Sequence, residues 1–374
     1  MPGVIAQALP RLVFDARWLR TGIGRYTLSV LKGLRGRIPD IETVCITQPQ
    51  HKALVAGFCD RVIEASQNIY TVQEQLVLPW LARGASAFYA PHYNIPILWR
   101  RQLLVTIHDL THLIDATYRG NWKSRLYVKP LVTLAVNKAD CIVTPSEYTR
   151  RMLHQHLQVP PERVTVIPGA ISEAFQPQSK AMARSQVARE HGITRPYLLY
   201  VGSLRPSKNV PLLLDALARL HQKRHDAPVL IIVGSDGGRM HEVKSYVSTL
   251  KLENTVFWLK GLTDLSLATL YSGAVMTILP SFEEGFGFPV VESMACGTPV
   301  ICSAAASLPE VAGDASLYFS PYSSLELSEA IERLMDSTSE QERLTSAGLK
   351  RARRYSQHNS ACLQAAIIRK LLSS

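Results

Sequence analysis

Short apolar runs recur along this chain, each closing on a glycine, a proline or a polar break, with helical periodicity in the stretches between them. In the first half they are Leu12 to Ala16, Thr43 to Thr47, Ala87 to Ala90, Leu103 to Ile107, Cys141 to Thr144 and Arg163 to Gly169. In the second they are Tyr197 to Gly202, Val229 to Gly234, Thr255 to Leu259, Val275 to Leu279 and Pro299 to Cys302. Strands that are apolar throughout must be covered on both faces, which is the condition of a parallel sheet sandwiched by helices. Two such series separated by AISEAFQPQSK predict two doubly wound α/β domains with a boundary near residues 176 to 190. The length of 374 residues agrees, at roughly 150 residues per domain. In sheets of this kind ligands gather outside the carboxyl ends of the strands, so functional residues are sought there.

Composition narrows the class. At 47% hydrophobic and 19% charged residues the chain has what a packed core needs, and it lacks the apolar run of about 18 residues that a membrane span requires. The opening MPGVIAQALPRL has too short an apolar core for a secretion signal, so a cytoplasmic location is expected. The six cysteines (45, 59, 141, 296, 302, 362) form no C-x-x-C pair and are expected to be reduced, buried thiols. The net charge of +11 is unevenly spread: residues 1 to 180 hold 21 Lys/Arg against 12 Asp/Glu. A basic half suits an anionic partner such as a lipid diphosphate or the inner face of the cell membrane; a solvated basic surface is the plain alternative. Within it, residues 120 to 140 mix Lys123, Arg125 and Lys129 with Trp122 and Tyr127, a pattern open to membrane contact or to a helix with one wet face, and Pro130 interrupts or begins a helix there. Nucleic-acid binding has no aromatic-basic platform or motif to support it.

The densest cluster of chemistry is the stretch Phe282 to Val300, FEEGFGFPVVESMACGTPV. Glu284 sits on a loop with Gly285, Phe286 and Gly287; Phe288 and Pro289 then open a short helix that carries Glu292 and stops at Gly297. The start of such a helix offers unpaired backbone N–H groups and a partial positive charge, to which a diphosphate or a sugar hydroxyl can dock. A glycine-proline loop before a helix is structural in most proteins, so the bare pattern leaves both readings open.

The whole string resembles the signature of the retaining, nucleotide-sugar-dependent glycosyltransferases of group 1, whose E-x7-E motif aligns with Glu284 and Glu292. The resemblance implies the GT-B fold: two Rossmann-like doubly wound parallel-sheet domains facing a central cleft. These would be residues 1–180 for the acceptor and 181–350 for the nucleotide sugar, with a C-terminal helix, 351–374, returning to the first domain. Further matches follow in family order. Gly22, Ile23 and Gly24 in TGIGRY follow the first strand, where the family faces the donor diphosphate. Thr27 stands where a dinucleotide fingerprint needs its third glycine, and tight packing alone would also explain the GxG. His108 in TIHDL lies at a strand end and matches the family's histidine near the donor sugar; His92 in PHYN is a rival. His112 completes H-x-x-x-H, but Asp109 replaces the glutamate of zinc helices and no third ligand is evident. Lys208 in VGSLRPSKN matches the family's phosphate-facing lysine. The usual arginine of that loop falls at positions filled here by Ser203 or Ser207, with Arg205 between them. Leu262 and Thr263 match the stretch near the nucleotide base. The last family landmark thins to Tyr355, Ser356 and Gln357.

The implied reaction is transfer of a hexose, with mannose from GDP-mannose first and glucose from a UDP donor second. The acceptor would be a glycan or lipid-linked saccharide, and anomeric configuration would be retained. His108 and Glu284 are the catalytic candidates. Gly22, Ile23, Gly24, Arg205, Lys208, Leu262, Thr263, Gly285, Phe286, Gly287, Phe288, Pro289 and Glu292 are the donor-binding ones. No Asp-x-Asp is present, which argues for metal independence, and no cofactor beyond the nucleotide sugar is expected. Two rivals share the fold: a nucleotide-sugar epimerase, which would consume donor without acceptor, and a non-catalytic nucleotide-sugar-binding module.

Overall fold

The computed structural model describes residues 9–19, 22–67, 69–114 and 122–373, and for residue 22 and residues 122–127 the backbone alone. They form two compact units. The second spans Ile171–Ser356; the first holds the described residues up to Leu113, those between 122 and 170, and the C-terminal helix from Gln357. The division falls ahead of the 176 to 190 stretch because the residues just after 170 already pack with the second unit. Ile171 N–H donates to the Tyr355 carbonyl at 3.0 Å, and Phe175 is buried against Tyr271.

In the first unit β1 (Arg11–Asp15), β2 (Glu42–Thr47), β3 (Arg61–Glu64), β4 (Ala87–Ala90), β5 (Gln102–Thr106), β6 (Cys141–Thr144) and β7 (Val164–Val166) form one parallel sheet in the order β3-β2-β1-β4-β5-β6-β7. β3 is absent from the expected strands because it is an edge with no buried residue, RVIE, whose alternation carries little apolar signal. The helix Gln357–Ser373 closes this unit. Its Ala361 packs on Gly33, and its buried Gln364 donates to the Tyr26 hydroxyl at 2.8 Å and accepts from the Tyr89 hydroxyl at 3.3 Å. The helix Trp122–Lys138 runs through Pro130 without a break, with Lys129 and Pro130 exposed; the side chains of Trp122, Lys123, Arg125 and Tyr127 lie outside the described residues.

In the second unit β8 (Tyr197–Val201), β9 (Val229–Val233), β10 (Val256–Leu259), β11 (Met276–Leu279), β12 (Val300–Ser303) and β13 (Ser316–Phe319) form a parallel sheet in the order β10-β9-β8-β11-β12-β13. Successive residues of β8 feed opposite faces: Leu199 joins a core with Tyr271 and Val291, Leu198 one with Leu213 and Ile278. The chain leaves β8 toward β9 on one side and returns to pair β8 with β11 on the other. The β8/β11 seam is therefore the topological switch point, and the crevice beyond its carboxyl ends is where the fold leaves room for a ligand.

The six cysteines are free thiols. Four are buried as expected, but Cys141 is half-buried and Cys362 is exposed on the outward face of the last helix, contrary to the expectation of burial. Among the described residues no helix is long and apolar enough to cross a membrane.

Candidate functional site

The loops that follow β8 and β11 run side by side at the switch point, joined by Phe282 N–H donating to the Ser207 carbonyl at 2.8 Å. After β8 the chain makes a single 3-10 turn, Pro206–Lys208, and Asn209 takes a left-handed conformation (φ 53°) before the helix Val210–Lys223 begins. Asparagine tolerates that conformation better than most side chains, and its Nδ2 is tied to the Pro321 carbonyl at 2.7 Å. The Lys-Asn pair thus fixes where the lysine stands.

Lys208 Nζ lies 2.8 Å from Glu284 Oε1, with the two side chains 22% and 15% exposed. The same Nζ approaches the Glu283 carbonyl at 3.4 Å. Glu284 Oε1 also accepts from the Ser281 hydroxyl at 3.0 Å, and its main-chain carbonyl accepts from Ser307 at 2.9 Å. These contacts use one carboxylate oxygen. Among the described residues Oε2 has no protein donor, so it can accept from a ligand hydroxyl. Burial, and then the charge of Glu284, push the Tyr200 hydroxyl well above its ordinary range.

The helix Phe288–Ala295 starts at Gly287, whose φ is 90° and whose missing side chain leaves no cap. The backbone there requires glycine, and a Cβ would also meet Leu308 Cδ2 at 2.6 Å, so that side-chain tip would have to shift. Gly285 is buried beside it, and Pro289 stands in the first turn. Phe286 is buried, with its ring 5.1 Å from Phe288 and 5.3 Å from Tyr355, which makes it a core residue under the loop. Glu292 departs from its partner in the motif. It is 1% exposed and accepts from the Tyr271 hydroxyl at 2.9 Å. Together with burial, its proximity raises the Cys296 thiol to about 12. Leu262 packs half-buried on the core, and Thr263 caps the helix Asp264–Gly273 by accepting from Ser266 N–H at 3.2 Å. Arg205 is exposed and lines a hollow of about 690 Å³ with Arg239, His241 and Tyr246, among whose lining residues neither Lys208 nor Glu284 appears.

In the first unit, Gly22, Ile23 and Gly24 are the opening turn of the helix Gly22–Leu34 rather than a loop ahead of it. A Cβ on Gly24 would lie 2.4 Å from the Leu19 carbonyl oxygen, so close packing accounts for that glycine. His108 follows β5 at its carboxyl end. Its Nε2–H donates to the Pro91 carbonyl at 2.8 Å, and its ring meets the edge of Tyr26 at 4.6 Å. Burial lowers its pKa, and in the neutral ring this bond leaves Nδ1 as an acceptor. His92 packs on Trp18 (4.2 Å) and Tyr93 (3.8 Å) and accepts from Asn94 N–H at 3.3 Å; burial, then the neighbouring His108, depress it to about 3.

Sequence reasoning missed two features here. The direct Lys208–Glu284 pair joins residues 76 positions apart by number, and no spacing announces it. The other is a buried charge network at the end of β1. Arg17, fully buried, pairs with Asp15 and Glu74 at 2.8 Å each, and Glu74 also accepts from Asn94 at 3.0 Å. The arginine's pKa is raised because the attraction of the two carboxylates outweighs its burial. The sole hint in sequence was FDAR at a strand end.

Residues 184–351 match the family described as "Glycosyl transferases group 1", and residues 20–175 match "Glycosyltransferase Family 4". The chain belongs to the group 1 glycosyltransferases. It is 27% identical over 361 residues to the O-antigen chain mannosyltransferase B of Escherichia coli, covering 91% of this chain and 93% of that protein. It is 33% identical to the MMP alpha-(1->4)-mannosyltransferase of Mycolicibacterium hassiacum over 52% of this chain and 45% of that one. Among solved structures, Anabaena Alr3699/HepE in complex with UDP-glucose superposes with a TM-score of 0.80 at 19% identity, covering 96% of this chain and 99% of that one. That likeness, with the two parallel-sheet units, shows that this glycosyltransferase has the GT-B fold.

Proposed function

We propose that this glycosyltransferase moves mannose from GDP-mannose to a glycan or lipid-linked saccharide with retention of anomeric configuration. The observation that carries the reading is the Lys208–Glu284 pair at the β8/β11 switch point, where a cation suited to a diphosphate and a carboxylate oxygen suited to a sugar hydroxyl stand side by side. The choice of mannose rests on the two mannosyltransferases to which the chain is similar.

In this reading the leaving diphosphate takes its positive field from Lys208 and from the N–H of Phe288 at the uncapped start of the helix. Glu284 Oε2 accepts from a donor-sugar hydroxyl. With Oε1 held by Lys208 and Ser281 and Oε2 given to a sugar hydroxyl, neither oxygen of Glu284 is left to attack, which favours same-face transfer over a double displacement. Glu292 serves the ribose, and His108, neutral with Nδ1 accepting, serves the donor sugar.

A donor screen by thermal shift tests the first half, since a bound donor must raise stability. GDP-mannose is expected to stabilise the protein more than UDP-glucose, and the reverse order would replace the donor. Proton NMR of the product's anomeric signal tests retention; an inverted product overturns it.

A further inference from the structure

The helix Val72–Leu81 of the first unit is built inside out. Its inward side carries Glu74, fully buried on Arg17 and Asn94, together with buried Leu78. Its outward side carries Val72, Leu76 and Trp80, which are 84%, 63% and 61% exposed. At a spacing of four, these three fall within about 80° of arc on one face, running roughly 12 Å along the helix. A surface helix ordinarily keeps its apolar stripe inward, and contiguous exposed apolar side chains on a water-facing helix mark a surface that something covers. The patch widens beyond the helix. Ile97 N–H donates to Gln75 at 2.7 Å, which brings Leu98, 52% exposed, alongside.

Its margins are basic. The Arg83 guanidinium lies 4.4 Å over the Trp80 ring, and Arg101 is held to the Ala85 carbonyl at 2.7 Å with exposed Arg100 next to it. Leu98, Arg100, Arg101 and Lys138 line one shallow hollow, in which the single lining carboxylate, Asp140, accepts from Leu103 N–H at 2.8 Å. The outward face of the helix itself presents no carboxylate, since Glu74 is turned in.

We propose that this face, Val72, Leu76, Trp80 and Leu98 with Arg83, Arg100 and Arg101 at its margins, docks on a bilayer containing anionic lipid. Tryptophan and leucine insert at the level of the headgroups while the guanidinium groups meet lipid phosphates, and each element suits the other. A second copy of the chain is disfavoured by the same charges. A twofold interface centred on this helix would bring two copies of the basic margin onto one small surface, with no carboxylate on the helix's outward face to answer them. The surface is also small: four side chains fall well short of the roughly 800 Å² per partner of a standard protein interface. Bilayer docking needs only the anchors and the charge. It also places the first unit where a lipid-linked acceptor lies, although the inference does not depend on the transfer reading.

The test is flotation of the full chain with phosphatidylcholine vesicles and with vesicles of phosphatidylcholine and phosphatidylglycerol in a 7:3 ratio. The wild type is expected to float with the second and not the first, and to float less at high salt without being fully released. Leu76→Asp and Trp80→Ser are each expected to weaken partitioning by about tenfold or more with unchanged thermal midpoints, as both side chains are exposed. Trp80→Phe is expected to keep most binding and lose the quenching by bromolipid that the wild type shows. Failure of the wild type to float, or equal flotation of Leu76→Asp, overturns the proposal. A dimer in the ultracentrifuge that Leu76→Asp dissociates assigns the face to a second copy and overturns it too. Donor and acceptor are absent throughout, so a negative result leaves the transfer reading untouched.

Discussion

Replacing Lys208 by methionine keeps most of the side chain's length and removes its charge, leaving Glu284 without its cation. At the 2.8 Å separation of the pair, the gross attraction is about 6 kcal/mol for an effective dielectric near 20. The desolvation of both groups offsets much of it. What the variant exposes is the cost of a stranded charge, typically ~3 to 5 kcal/mol for a fully buried pair. With side chains 22% and 15% exposed, water relieves part of that cost, and about 2 to 3 kcal/mol is expected. Glu284→Gln removes the stranded carboxylate, so the double variant is expected to lose less than the sum of the singles, with a coupling of about 1.5 to 3 kcal/mol. The protein has two units, so a single global midpoint is a poor measure; hydrogen exchange of peptides from β8 and β11 reads the second unit directly. Catalysis gives the independent arm: Lys208→Met is expected to lower kcat/KM by about a hundredfold to a thousandfold if Lys208 meets the leaving diphosphate. Additive effects of the two substitutions would refute the structural argument. A kcat/KM for Lys208→Met within a few-fold of wild type would refute the catalytic one.

Glu292→Gln separates two jobs for a carboxylate buried under Tyr271: about tenfold weaker donor binding in calorimetry with unchanged hydrogen exchange of the Phe288–Ala295 helix is expected of a ribose ligand, whereas faster exchange there with intact affinity would make it an anchor of the loop-bearing helix. His92, held at about 3 in the fold against about 6.5 when unfolded, contributes stability that is intact above pH 6.5 and lost as pH falls toward 3. At pH 5 the loss is about 2 kcal/mol, and His92→Gln is expected to reduce the pH 7.5 to 5 dependence of urea stability by about that amount, the remainder of the same sign coming from His108, which burial also lowers; an unchanged dependence would place the titration elsewhere. Excess chelator is expected to leave the transfer rate within twofold, because Lys208 and a helix start supply the positive field, and an abolished rate restored by Mg²⁺ would show that a metal is needed.

Much of the fold could be read from the chain because strands buried on both faces are apolar throughout. Tyr197–Val201, Val229–Val233 and Met276–Leu279 are written almost wholly in aliphatic and aromatic residues with a glycine, proline or polar break after them. β3 escaped because an edge strand has nothing to bury, and β13 because SLYF keeps one side chain outward and reads as loop. The site was partly legible for a different reason. Gly287, Pro289 and Asn209 answer to backbone geometry, which leaves a local mark in sequence. Side-chain partners leave none. Nothing in the spacing of Arg17 and Glu74, or of Lys208 and Glu284, says that they meet, since the sheet order decides it.

The arginine question shows how far such partners alter the chemistry. Position 207, one of the two where the family's loop arginine is expected, is a serine here that is 2% exposed, with its carbonyl occupied by the N–H groups of Phe282 and Glu283. Position 203 is also serine, and its carbonyl accepts from the Tyr200 hydroxyl at 2.7 Å. Arg205, between them, lines the hollow shared with Arg239 and His241, a lining to which neither Glu284 nor Lys208 contributes. Among the described residues of the β8 loop, Lys208 is therefore the cation that meets Glu284. A loop built on one cation concentrates in that residue the diphosphate stabilisation that two would share. The loss at Lys208 should accordingly exceed the loss at Arg205 by the larger part of the phosphate contribution, and Arg205→Ala should leave kcat/KM nearly intact.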